Sequence, residues 1–137
     1  YRFAFAMGRY SQGISIVKAI KMGLASKVRK ALDKTLELAP KHAEAQTALA
    51  LYHAEIIDKI GAMIGGMTYG AKKDSAIEHF QKAVKLNPES AIARIEYANG
   101  LILLFGKGRI DDATALYEEA AATKARNDPD IKKRKMQ

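Results

Sequence analysis

Two stretches of this chain repeat one spacing of small, bulky and small residues closed by a proline. In residues 74–90 (DSAIEHFQKAVKLNPES) the positions are Ala76, Phe80, Ala83 and Pro88, separated by four, three and five. In residues 27–42 (KVRKALDKTLELAPKH) Val28, Leu32, Thr35 and Pro40 keep the same intervals. A new helical pattern starts within a few residues of each proline. Helix pairs at fixed spacing constrain the fold strongly, because such units bury their apolar faces only by stacking on neighbours.

Helical periodicity runs almost throughout, and no period-two segment is long enough to argue for a strand. The spacing predicts six helices, at about 1–22, 25–38, 42–64, 74–86, 91–105 and 110–124. Pro40, Pro88 and Pro129 follow periodic segments, where proline can come after a helix but not continue it. Ser75 and Glu78 have the spacing of a capping box, and Asp111 or Asp112 is placed to cap the last helix. The fold class expected is all-α.

With these residues in view, the chain resembles the tetratricopeptide-repeat family, in which each unit is an antiparallel helix pair. The third unit matches through Tyr97, Ala98, Asn99 and Leu101 in its first helix, and Ala113, Tyr117 and Ala120 in its second. The middle unit matches through Leu49, Ala50 and His53, then Ala76, Phe80, Ala83 and Pro88. The first has Met7 and Gly8, then Val28, Leu32, Thr35 and Pro40. The resemblance implies a right-handed solenoid of about three units, at 1–40, 41–88 and 89–127, forming one domain. Residues 128–137 read as a basic, disordered tail.

The departures from the family are informative. Its units run ~34 residues, whereas Pro40 and Pro88 lie 48 apart. The excess falls between His53 and Asp74 (AEIIDKIGAMIGGMTYGAKK), and the first unit is enlarged at YSQGISIVKAIKMGLASK. Ile14, Val17, Ala19, Ile20 and Gly23 fall opposite Ile57, Ile60, Ala62, Met63 and Gly66. The reading is of lengthened first helices whose apolar, glycine-bearing ends project past the ordinary repeat and pack side by side. Gly61 with Gly65, and Gly66 with Gly70, have the spacing of close helix contacts. They fit either a tight intramolecular contact or an apolar lip for a partner or second copy, made by Ile57, Ile60, Met63, Ile64, Met67 and Tyr69.

Composition sets outer bounds. Apolar residues make up 48% and charged residues 28% of 137, which suits a globular domain. Cysteine is absent, which removes disulfides, thiolate metal sites and thiol nucleophiles. Lys132, Lys133, Arg134 and Lys135 account for half of the net charge of +8. The other bases are interleaved with acids. No apolar run approaches the ~20 residues that span a bilayer. The chain opens in mid-pattern without methionine, as though upstream residues were missing, and cytoplasm and periplasm both stay open.

No catalytic constellation is legible. Residues 65–73 (GGMTYGAKK) only superficially resemble a phosphate-binding loop, since alanine follows Gly70 and no strand precedes. His42, His53 and His79 are scattered, with His53 in an aromatic packing position and His79 on a polar face. Adjacent carboxylates, such as Glu118 and Glu119, point to different sides of a helix. The expectation is a protein that is not an enzyme and uses no cofactor or metal.

In the solenoid that the resemblance implies, the first helices line the concave groove. Glu44, Thr47, Ala48, Leu51 and Glu55 would face it from the middle unit, and Ile92, Ile95, Glu96, Asn99 and Leu103 from the third. Family members that grip C-terminal carboxylates use lysine, arginine and asparagine there. Here Asn99 stands beside Ile95 and Glu96, so the groove suits an apolar helix or a peptide with basic flanks. The leading expectation is therefore a protein-interaction scaffold that binds a protein or peptide, with homo-oligomerisation through 56–70 possible. An accessory role in a solute-uptake system of the TRAP type is the alternative. Nucleic-acid binding through the tail is a third reading, and no nucleic acid is expected.

Overall fold

A computed structural model describes residues 22–130, and in these the chain is all-helical. The helices are α1 (Leu24–Leu38), α2 (Ala43–Ile60), α3 (Ala62–Tyr69), α4 (Lys73–Leu86), α5 (Ala91–Phe105) and α6 (Ile110–Arg126), with a 3₁₀ turn, Gly106–Arg109, before α6. The enlarged part of the first unit before Met22, and residues 131–137 of the tail, lie outside the described residues.

The proline-bearing links form two nearly superimposable turns. Ala39 and Asn87, each preceding a proline, have φ/ψ of −140/78° and −137/79°. Both lie outside the α region, which a following proline ring disfavours for its neighbour. Each ends its helix by donating to a carbonyl four residues back, Thr35 O at 2.8 Å and Ala83 O at 3.1 Å. Two residues after each proline comes a side-chain cap: His42 Nδ1 accepts from Ala45 N at 3.2 Å, and Ser90 Oγ from Ala93 N at 3.1 Å. Each cap satisfies an orphaned donor and contributes about 1 kcal/mol. Pro129 differs. It follows the capping residue Asp128, whose Oδ1 accepts from Asp130 N at 2.8 Å, and it opens a new helical turn rather than trailing one.

Side-chain pairs fix the directions of the helices. Moving seven residues up α2, from Gln46 to His53, moves the partner seven residues down, from His79 to Lys72. Hence α2 and α4 run antiparallel. Pairs Arg94–Glu119 and Asn99–Tyr117 show the same for α5 and α6. α2 also packs against α1, α3 and α5, and α4 against α5. Arg94 Nη1 donates to the carbonyls of Pro88 and Ser90, while its Nε, 3.5 Å from Glu119, makes an ion contact without hydrogen-bond geometry. Asn127 Nδ2 reaches Glu89 O at 3.2 Å and fastens the end of α6 to the α4–α5 turn.

The repeated positions are the core. Leu32 of α1 is fully buried in a cluster with Val28, Ala45 and Leu49. Phe80 of α4 is fully buried, stacked on Tyr97 of α5 with ring centroids 5.3 Å apart. A Cβ on Gly100 would lie 2.3 Å from Phe80 Cε2, so only glycine lets α5 approach this closely. Burying each of these large side chains is worth roughly 1.5–3 kcal/mol.

Four sequence expectations are corrected. The helix expected over 42–64 ends at Ile60, because Gly61 adopts φ 87° and ψ 159°, outside helical space. The segment beyond Gly61 does not project. Instead α3 folds back on α2, with the position of a Cβ on Gly65 3.0 Å from Ile56 Cγ2. The capping box at Ser75 also gives way, since α4 starts two residues earlier at Lys73. Its cap residue Lys72 has no capping side chain of its own, but its N–H is held by His53. Similarly, Asp111 and Asp112 lie inside the first turn of α6, where they favour the helix dipole instead of capping.

Candidate functional site

The expected groove residues divide by exposure. On α2, Glu44 is exposed, Thr47, Ala48 and Glu55 are half-buried, and Leu51 packs against the core. Thr47 Oγ1 donates to Ala43 O, its own helix backbone, at 3.3 Å. On α5, Ile92 is 67% exposed and Ile95 less so, Glu96 is half-buried, and Leu103 packs against the core. Asn99 Oδ1 accepts from the Tyr117 hydroxyl of α6, so this carboxamide already has a partner within its own hairpin.

The lip residues also separate. Met63, Ile64 and Met67 of α3 are exposed, at 78%, 59% and 84%. Ile57, expected among them, is buried at 6%, because α3 turns back over the end of α2. Ile60 and Tyr69 are half-buried and pack against the core. The glycine contact is therefore intramolecular on one side, Gly65 against Ile56 and Ala71, and leaves a methionine face on the other.

Sequence reasoning missed a polar cluster between α1, α2 and α4. His53, 2% exposed, accepts the Lys72 amide on Nδ1 at 3.1 Å, and its ring stacks on His79 at 5.9 Å. His79 Nδ1 lies 2.6 Å from Gln46 Oε1, a buried amide. Thus His79 is half-buried and bonded to α2 instead of standing on a polar face. Next to His53, the Tyr52 hydroxyl donates to Tyr69 O at 3.2 Å, and the Arg29 guanidinium lies 5.4 Å from the Tyr52 ring centre. Consecutive side chains of α2 thereby hold both ends of the link from α3 to α4.

Burial pushes the His53 pKa down from 6.5 to about 4, assisted by the positive charges of Arg29, His79 and Lys72. Burial also lowers His79, with Lys82 adding and Glu78 opposing. Desolvation raises Tyr52, against the pull of Arg29. These are signatures of neutral groups enclosed in a packed interface. A cleft of about 450 Å³ opens beside the cluster, lined by Leu36, Pro40, Gln46, Lys82, Lys85 and Leu86.

No family model, curated protein or solved structure matches this chain. Among the described residues, no group of three or more histidine, aspartate or glutamate side chains could hold a metal ion. No described helix is long and apolar enough to cross a membrane. Among the described residues, large apolar side chains stand exposed on α3 (Met63, Ile64, Met67) and on α5 (Ile92, Ile95, Ile102), while α2 exposes the carboxylates of Glu44 and Asp58.

Proposed function

We propose that this chain is a non-catalytic protein-interaction module, a tetratricopeptide-like right-handed superhelix of three units. The observation that carries the reading is a repeated packing step. Leu32 is buried against Ala45 and Leu49 of the next helix along, and Phe80 against Tyr97 and Gly100 of the next. The matched turns at Pro40 and Pro88 set up the same step twice. Stacked hairpins of this kind present their first helices along one side.

On this reading the partner segment lies across α2 and α5, between Glu44 and Glu55 on one helix and Ile92 and Glu96 on the other. An apolar segment with lysine or arginine flanks fits those side chains. Asn99 contributes to orientation through Tyr117 rather than by gripping a carboxylate. Most of the affinity would rest on a few buried contacts.

Affinity capture with the full-length protein, followed by identification of the retained polypeptide, tests the proposal. Capture should be lost when Glu44→Lys and Glu96→Lys are combined, and should survive Met63→Lys on α3. Undiminished capture by the double variant would remove the groove assignment.

A further inference from the structure

The second and third units share a frame but not their charges. Six residues after its proline, α2 has Gln46 where α5 has Arg94. Two residues after the bulky position, α4 has Lys82 where α6 has Glu119. In the third unit these two positions close on each other. Arg94 donates to the carbonyls of Pro88 and Ser90 at the turn, and its Nε lies 3.5 Å from Glu119. One side chain thus reaches from the turn to the second helix. In the second unit both halves of that pair are gone. Glutamine is shorter than arginine, and Lys82 puts a positive charge where the third unit has a carboxylate.

What this leaves is the cleft of about 450 Å³ beside the ends of α1 and α4, a volume within the range of small-molecule sites. Leu36, Pro40 and Leu86 give it apolar walls. Gln46, only 6% exposed, also lines it. His79 engages the Gln46 Oε1, and the amino group of the same side chain makes no hydrogen bond among the described residues. Two lysines complete the lining. Lys82 pairs at the surface with Glu78 of its own helix at 3.0 Å, and Lys85 has no ion pair among the described residues. The side-chain polar groups left to a ligand are therefore all donors, and two are cationic. An ionised carboxylate only accepts and matches that set, whereas an amine only donates and a peptide backbone brings as many donors as acceptors.

We infer that this cleft binds a small amphiphilic carboxylate. Its aliphatic or aromatic body lies between Leu36, Pro40 and Leu86, and its head accepts from Gln46 Nε2 and the ammonium groups of Lys82 and Lys85. The ligand supplies the negative charge that Glu119 supplies one unit later. The site rests on the repeat spacing and does not depend on what α2 and α5 bind.

Octanoate is the probe, titrated at pH 7 into the full-length protein and followed by NMR. Saturable shifts are expected at the Gln46 side-chain amide and at the methyls of Leu36 and Leu86, with a Kd on the order of 1 mM or tighter. Octylamine, equally long and of opposite charge, should produce none of them. Lys85→Glu should weaken octanoate binding on the order of tenfold. Gln46→Arg combined with Lys82→Glu transplants the third unit's pair, and should abolish the shifts while circular dichroism shows helicity retained. Lys85 is exposed, so its single variant decides the matter if the double variant loses helicity. Glu96→Lys and Met67→Lys should leave octanoate binding unchanged, which separates this site from the groove and from α3. Absence of saturation, an equal response to octylamine, or shifts that survive Lys85→Glu overturn the inference. Shifts given by a peptide ending in leucine but not by octanoate would assign the cleft to a polypeptide C-terminus, and would overturn it as well.

Discussion

Replacing Gly100 by alanine isolates the tightest glycine contact among the described residues. In an exposed helix interior the change should stabilise by about 1 kcal/mol, since glycine gives up the most backbone freedom. Here the new methyl would sit 2.3 Å from Phe80 Cε2 and 2.4 Å from Cζ, more than 1 Å inside ordinary carbon contact. The ring has no room to retreat, being fully buried and stacked on Tyr97 with its plane only 5° from parallel. Overpacking of this kind costs about 1–3 kcal/mol, and a clash with two ring atoms belongs at the upper end. The expected net loss is about 2 kcal/mol, or a fall of roughly 5–10 °C in Tm. Urea denaturation followed by circular dichroism measures it. Phe80→Leu removes the offending ring atoms, so the double variant should lose clearly less than the sum of the single losses, a coupling of about 1 kcal/mol or more. A Gly100→Ala protein as stable as the parent, or additive losses in the cycle, would refute the idea that this contact sets the spacing of α4 and α5.

Acid should weaken the fold through His53. Its folded pKa of about 4 lies below the ordinary 6.5, so between these values the unfolded chain binds the extra proton. Stability is then fully present above pH 6.5 and declines toward pH 4, by up to about 3 kcal/mol, with the lowered His79 acting in the same direction. Urea midpoints measured from pH 7 to pH 4 should fall, and the slope should shrink in His53→Gln; a flat profile contradicts the assignment. Tyr52→Phe removes only the hydroxyl that donates to Tyr69 O. It should cost about 1 kcal/mol and speed amide exchange across residues 61–72 while leaving α5 and α6 protected. Equal exchange in both proteins would show that the bond does not hold α3.

What the sequence carried legibly was local. The intervals around Leu32 and Phe80, and the prolines after them, located α1, α4 and both turns to within a residue or two, because helix ends depend on neighbours only a few positions away. The break at Gly61 was not legible. A glycine within an apolar periodic run is compatible with a continuing helix, and only the packing of Gly65 on Ile56 decides otherwise. The cap of α4 was hidden for a related reason, since the Lys72 N–H is held by His53, 19 residues upstream. The Gln46–His79 contact spans 33 residues and left no local trace. Among the candidate lip residues, Met63 and Met67 are exposed and Ile57 is buried, a difference that hydropathy alone could not reveal. Tyr117 passed as scaffold because its pattern position equals that of Phe80; only its exposure, 37% against none, distinguishes them.

The pair Tyr52 and His53 has one more consequence, for how this chain can change. Helices α2 and α4 pack directly on each other, and α3 is an excursion whose return is held by two neighbouring side chains. The hairpin does not need the excursion to have its present length. Closing a longer loop costs only about 0.6 kcal/mol for each doubling. Sequence between Gly61 and Gly70 can therefore be lengthened at small cost, provided the segment still covers Ile56 and Ile57, Tyr69 O still meets Tyr52 and a backbone N–H returns to His53. The site behaves as a built-in insertion port, where new surface can be added to an old frame.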